Sequence, residues 1–162
     1  MEKWEITFDG QWNECIPVDS IRQGVTPLTV DFAKRFGEHL AKNGKHYEER
    51  FSKKFNKNER VIVEEVKLTT TQLRKFFGEI KKQQMTGYEE SRFVLLKPKL
   101  AYAVGRVKDG KKYYKIEDFY NVLSYTIDVV AAENEANKKN AFKNFIDIFE
   151  AIVAYHKAAE KK

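Results

Sequence analysis

Leu73, Phe76, Phe77 and Ile80 stand at i, i+3, i+4 and i+7, so a helix carries all four on one side. The same spacing recurs in Phe32, Phe36 and Leu40, and in Phe93, Leu96, Leu100, Ala103 and Val107. It returns in Ile116, Phe119, Tyr120, Leu123, Ile127 and Val130, and finally in Phe142, Phe145, Ile146, Phe149, Ile152, Val153 and His156. An amphipathic helix must bury its stripe against another element, and short polar breaks separate these stripes. The pattern predicts an all-α fold, a compact bundle of about five helices with neighbours mostly antiparallel.

Local signals place the ends. Thr26-Pro27 reads as an N-cap followed by proline at the first helical position, and Asn43-Gly44 as a stop. One of Thr69, Thr70 and Thr71 caps the next helix, which Met85-Thr86-Gly87 ends. Pro98 interrupts an apolar period that runs on both sides of it. Either a helix starts there, or a longer one from about Glu89 kinks, and the unbroken period favours the kink. Tyr47, Phe51 and Phe55, four apart, suggest a short helix. Val61-Ile62-Val63 has no second strand-like run to pair with and reads as a connector. Residues 1–26, with Trp4, Ile6, Phe8 and Trp12 among turn formers, read as an irregular N-terminal arm before a helical bundle domain at 27–162. The arm's aromatics anchor it to the bundle or to a partner, and residues 158–162 are expected to fray.

A chain of 162 residues with 42% apolar content is enough for one domain with a real core. No stretch approaches the roughly 20 apolar residues that span a bilayer, so no membrane partner is expected. The start, Met1-Glu2-Lys3-Trp4-Glu5, lacks the basic and apolar segments of a signal peptide. Cys15 is the single cysteine, which leaves no intrachain disulfide or thiolate cluster, and a cytoplasmic location is expected.

The net charge of +6 is unevenly placed. Residues 67–112 hold twelve Lys/Arg against four acids, a balance of +8, while residues 1–44, 45–66 and 113–162 stand at −2, +1 and −1. Clustered basicity points to a polyanion more strongly than diffuse basicity does. Arg74 and Lys81 lie seven apart, as do Lys75 and Lys82, so each pair forms a column roughly 10 Å long beside the apolar stripe. If the helix through Pro98 is continuous, Arg92, Lys99 and Arg106 form a further column. Lys99, Tyr102 and Arg106 share a face in the segment Lys97–Arg106. Few acidic partners stand at i, i+4 to these cations. The set therefore suits a nucleic-acid backbone better than a plain solvated surface. Tyr102 stays open between stacking on a base and filling the core with its hydroxyl outward. Gly105 permits close approach of a helix or a phosphate chain.

Catalytic signals are weak. His39, His46 and His156 occupy three segments, and His156 falls on an apolar face as a packing residue. No HExxH, phosphate-cradling glycine loop or GxSxG elbow is present. Asp118, Asp128 and Asp147 are scattered among apolar residues, without the converging carboxylates a two-metal nuclease needs, and read as solvent-side residues or caps. No metal site and no cofactor are expected.

Three blocks occur in a telling order: Thr69-Thr70-Thr71-Gln72-Leu73-Arg74-Lys75-Phe76-Phe77, then Lys97-Pro98-Lys99-Leu100-Ala101-Tyr102-Ala103-Val104-Gly105-Arg106, then Phe149-Glu150-Ala151-Ile152-Val153-Ala154-Tyr155-His156-Lys157. Over about Thr69 to Lys157 the chain resembles the small helical subunit of type III-A CRISPR effector complexes, the Csm complex. The resemblance implies a non-catalytic subunit whose copies stack in the minor filament and hold guide and target RNA, mainly the target strand, for antiviral defence. Other subunits of the complex and neighbouring copies would be its partners. It also implies RNA contacts at Arg74, Lys75, Lys97, Lys99 and Arg106, with Tyr102 as a contact or support. Lys81, Lys82 and Arg92 join this RNA-binding set from the face argument alone. The alternative is a helical interaction protein whose basic face docks on an acidic protein partner.

Overall fold

The computed structural model describes residues 11–160. Helices dominate, but they share the fold with a three-stranded sheet, which corrects the all-α expectation. A 3-10 turn at Gln11–Cys15 and α1 (Val18–Gln23) replace the described part of the irregular arm. Trp12, Ile16 and Ile21 are buried in the main core, so this segment is anchored to the bundle. Trp4, Ile6 and Phe8 lie outside the described residues.

The second helix, α2 (Pro27–Leu40), begins where expected. The Thr26 Oγ1 accepts from the Thr29 backbone N–H, and Pro27 occupies the first helical position. Its Phe32, Phe36 and Leu40 are fully buried. After it, the chain forms β1 (Gly44–Ser52) and β2 (Lys57–Val66), an antiparallel hairpin paired from Gly44↔Glu65 to Ser52↔Lys57. The expected short helix at Tyr47, Phe51 and Phe55 and the connector at Val61–Val63 are both overturned. Spacing of four is even, so it places residues on one face of a strand as readily as on one side of a helix. Val61-Ile62-Val63 is β-branched throughout and finds its partner in that misread run. The loop at residues 53–56 closes with Asn56 at φ 53°, a left-handed conformation that asparagine tolerates.

Leu68 ties the hairpin's exit to the bundle. Its N–H donates to the Leu40 carbonyl at 2.8 Å, and its carbonyl accepts from His156 Nε2 at 2.7 Å. Then α3 (Thr70–Thr86) starts at a reciprocal cap between Thr69 and Gln72, with Leu73, Phe76 and Ile80 buried. The segment around Pro98 is two helices, α4 (Glu90–Val94) and α5 (Leu96–Val107), separated by Leu95 alone. Leu95 keeps right-handed helical angles (φ −67°, ψ −12°). The break sits upstream of Pro98 because proline cannot donate to the Val94 carbonyl and its ring crowds that group.

A two-residue strand, β3 (Tyr113–Tyr114), pairs parallel with Glu65 and Val66. The fold closes with α6 (Ile116–Ala131) and α7 (Lys138–Glu160). Helix α7 holds Ala158 to Glu160 in regular structure with Ala159 buried, contrary to the expected fraying there. Phe93 of α4 meets Phe142 and Phe145 of α7 edge-on at 5.3 and 5.0 Å. Helices α2 and α7 touch backbone to backbone at Gly37: a Cβ there would stand 2.8 Å from the His156 nitrogen and the Ile152 carbonyl oxygen.

Candidate nucleic-acid interface

Because α3 places Arg74/Lys81 and Lys75/Lys82 on either side of its buried stripe, the two columns meet different neighbours. The Arg74 side faces α7: Arg74 lines a cleft with Thr70, Leu73, Phe77, Val153 and His156. Lys81 pairs with Glu150 of α7 and stands 5.5 Å from the Phe77 ring centroid. The Lys75 side faces α5, where Lys75 and Arg106 line one groove floored by Phe76, Ala103, Val107 and Ile116.

The nine expected contacts are therefore not one patch. Lys97 Nζ lies 2.6 Å from Asp128 Oδ1, and Lys99 Nζ lies 3.1 Å from Glu79 Oε1. Acidic partners, sparse along each helix, are supplied across helices by Glu79, Asp128 and Glu150. Arg92 donates to Thr86 Oγ1 at 3.2 Å, and the Leu95 interruption lies between it and Lys99, so the continuous Arg92–Lys99–Arg106 helix is absent. Arg74, Lys75, Lys82 and Arg106 are exposed and make no salt bridge with a described residue. Tyr102 is 70% exposed with the Arg106 guanidinium 5.9 Å from its ring centroid, which settles its two readings against the core. Gly105 has nothing within 4 Å of a built Cβ, so it makes no close helix approach.

Polar chemistry missed in the sequence lies where the hairpin base meets α2 and α6. Asp118, expected toward solvent, is 1% exposed. Its carboxylate takes a 2.7 Å bond with His39 Nε2 and a bond from the Tyr113 hydroxyl. Burial, and then the Asp118 charge, push the Tyr113 phenol well above its ordinary range. Lys115 donates to the His39 carbonyl at 2.8 Å, and burial lowers its pKa while Glu65 and Asp118 oppose that shift. His46 joins β1 to Glu65 at 2.9 Å and to Glu48 at 3.0 Å. The network ties the hairpin base to α2 and α6. Its partners are up to 79 residues apart in the chain, which is why no local motif announced it. The other two expected solvent-side acids, Asp128 and Asp147, are exposed. His156 is buried as a packing residue and satisfies the Leu68 carbonyl.

A family model for Csm2 Type III-A matches residues 48–162. The chain belongs to that family. It is thus a small subunit of type III-A CRISPR effector complexes, as the three sequence blocks implied. The match begins within β1 and so takes in most of the hairpin, beyond the stretch from Thr69 that carried the resemblance. Neither the curated proteins nor the solved structures compared gave a match. Among the described residues, no helix of this Csm2 family member is long and apolar enough to cross a membrane.

Proposed function

We propose that this Csm2 family member is the RNA-holding, non-catalytic small subunit of its effector complex. Copies stack along the guide–target duplex and grip mainly the target strand. Guides differ in sequence, so such a subunit must hold phosphates and sugars and leave specificity to base pairing. The observation that carries the reading is the α3–α5 groove, where Lys75 and Arg106 line one channel without a salt bridge to a described residue. Lys82 continues the Lys75 column, and exposed Tyr102 adds a surface on which a base can stack.

The test is fluorescence anisotropy of a labelled oligouridylate across a salt series, with the wild type and the Lys75→Ala/Arg106→Ala double variant. Two lost phosphate contacts should make the log–log salt slope shallower by about 1.4, at about 0.7 per contact on a single strand. An unchanged slope overturns the groove as an RNA site. An acidic protein bound at this face that excess RNA fails to displace would instead favour docking on an acidic partner.

A further inference from the structure

The hairpin's overall balance of +1 conceals a division along its length. Residues 50–60, the distal part, carry Arg50, Lys53, Lys54, Lys57 and Arg60 against Glu59 alone, a net charge of +4. The basal part, residues 45–49 and 61–66, carries Lys45 against Glu48, Glu49, Glu64 and Glu65, a net charge of −3. The acids belong to the end docked on the bundle. There His46 and Lys115 engage Glu65, and Lys112 lies 3.3 Å from Glu64. The cations belong to the end that projects.

Within that distal end the cations have different commitments. Arg50 is held on Glu48 at 2.9 Å, and Arg60 lies over the Tyr47 ring at 4.0 Å. Lys53, Lys54 and Lys57 are exposed and make no salt bridge with a described residue. Aromatic surface accompanies them: Phe51 and Phe55 are both more than half exposed, with the Lys54 ammonium 5.4 Å from the Phe55 ring centroid. Strand alternation and the Tyr47↔Ile62 pairing place Tyr47, Phe51 and Ile62 on one exposed face of the ribbon. A projecting tip with three exposed lysines that make no salt bridge with a described residue, and two phenyl rings more than half exposed, combines phosphate neutralisation with stacking, the two elements of sequence-tolerant single-strand binding.

We infer that the tip of the β1–β2 hairpin is a second RNA-contacting site, in which Lys53, Lys54 and Lys57 meet phosphates and Phe51 and Phe55 stack on bases. The ligand class is single-stranded RNA, and the inference rests on the RNA-holding reading of the subunit. Exposed Phe51 and Phe55 beside the lysines favour a single strand, which offers bases to stack on as well as phosphates, over an acidic protein surface. A basic tip on an acidic stem directs a polyanion to the end and repels it from the base. The hairpin joins the helix that carries the groove through residues below its tip. Arg50 and Val63 of the hairpin line a cleft with Val104 and Lys108 of α5, and that helix presents Ala103 and Arg106 to the Lys75 groove. The hairpin stem below the tip and the Lys75 groove therefore both border the C-terminal half of α5.

The experiment uses the full chain and the same labelled oligouridylate. Lys53→Ala/Lys54→Ala/Lys57→Ala should make the salt slope shallower by about 2, in the wild type and in the Lys75→Ala/Arg106→Ala background alike. Phe55→Ala should weaken binding about fivefold or more at every salt concentration and leave the slope unchanged, because stacking releases no counterions. A triple variant with the wild-type slope, alongside a groove variant with a reduced one, overturns the hairpin site and leaves the groove standing. The converse result overturns the groove and keeps the hairpin. A wild-type protein that binds no oligouridylate overturns both. Unchanged far-UV circular dichroism shows that the exposed substitutions leave the fold intact.

Discussion

Lys99 of α5 donates to Glu79 of α3 across 3.1 Å, and this bond places a carboxylate within the face that carries Lys75 and Lys82. The Lys99 hydrogen bond is the largest influence on Glu79 and holds its carboxyl below the ordinary range. A lowered carboxylate pKa stabilises the folded state above the unfolded value near 4.5 and loses that contribution as pH falls through the folded value. Both partners are partly solvated, so the pair contributes only about 0.2–1 kcal/mol. Glu79→Gln should therefore cost little stability while releasing Lys99 to phosphate. The expected readout is tighter oligouridylate binding with a salt slope steeper by about 0.7. Weaker binding by this variant would show that Glu79 positions Lys99 for RNA instead of restraining it.

Cations already matched by carboxylates should matter less. Lys81→Ala/Lys97→Ala removes the partners of Glu150 and Asp128 and should change the salt slope far less than Lys75→Ala/Arg106→Ala. The comparison is made by anisotropy on proteins of equal helicity. Equal losses from the two double variants would mean that the salt bridges open on binding.

Gly37→Ala places a methyl group 2.8 Å from backbone atoms of α7, where no flexible side chain can yield. Overpacking of this kind costs about 1–3 kcal/mol, measurable as a lower urea midpoint at constant m-value. Gly105→Ala meets nothing within 4 Å and should hold or raise the midpoint, since alanine favours the helix.

Tyr113 gives the stability curve an alkaline edge. Its phenol is held neutral by burial and by Asp118, so the folded pKa lies above the unfolded value near 10. A raised folded pKa contributes stability in full below that unfolded value and loses it as pH rises past 10. Urea midpoints taken from pH 8 to 11 should fall, and Tyr113→Phe should reduce the fall. Asp118→Ala leaves His39 and Tyr113 without their shared acceptor and should cost about 1–3 kcal/mol at neutral pH.

The helices were readable because their stripes are long and their caps local. Thr26, Pro27 and Thr69 mark starts through groups only three residues away. The hairpin was not, because its distal faces are both wet and lack the inside–outside alternation that marks a half-buried strand. Its Tyr47, Phe51 and Phe55 also satisfied the helical period. Site residues were found as helix faces, but their sorting required the packing. Lys75 and Lys81 look alike in the chain, and only α7 separates them by supplying Glu150. The tip charge escaped notice for a related reason, since counting residues 45–66 together cancels what the turn brings apart.

Leu68 is held from two sides, by Leu40 of α2 and by His156 of α7, two residues before α3 begins. A pull on the ribbon's tip is therefore delivered into the α2–α7 pair, whose backbones approach closely at Gly37. Helix α3 starts downstream of that anchorage. The protruding arm can bend under load while the spacing of Lys75 and Lys82 along the helix stays as it is.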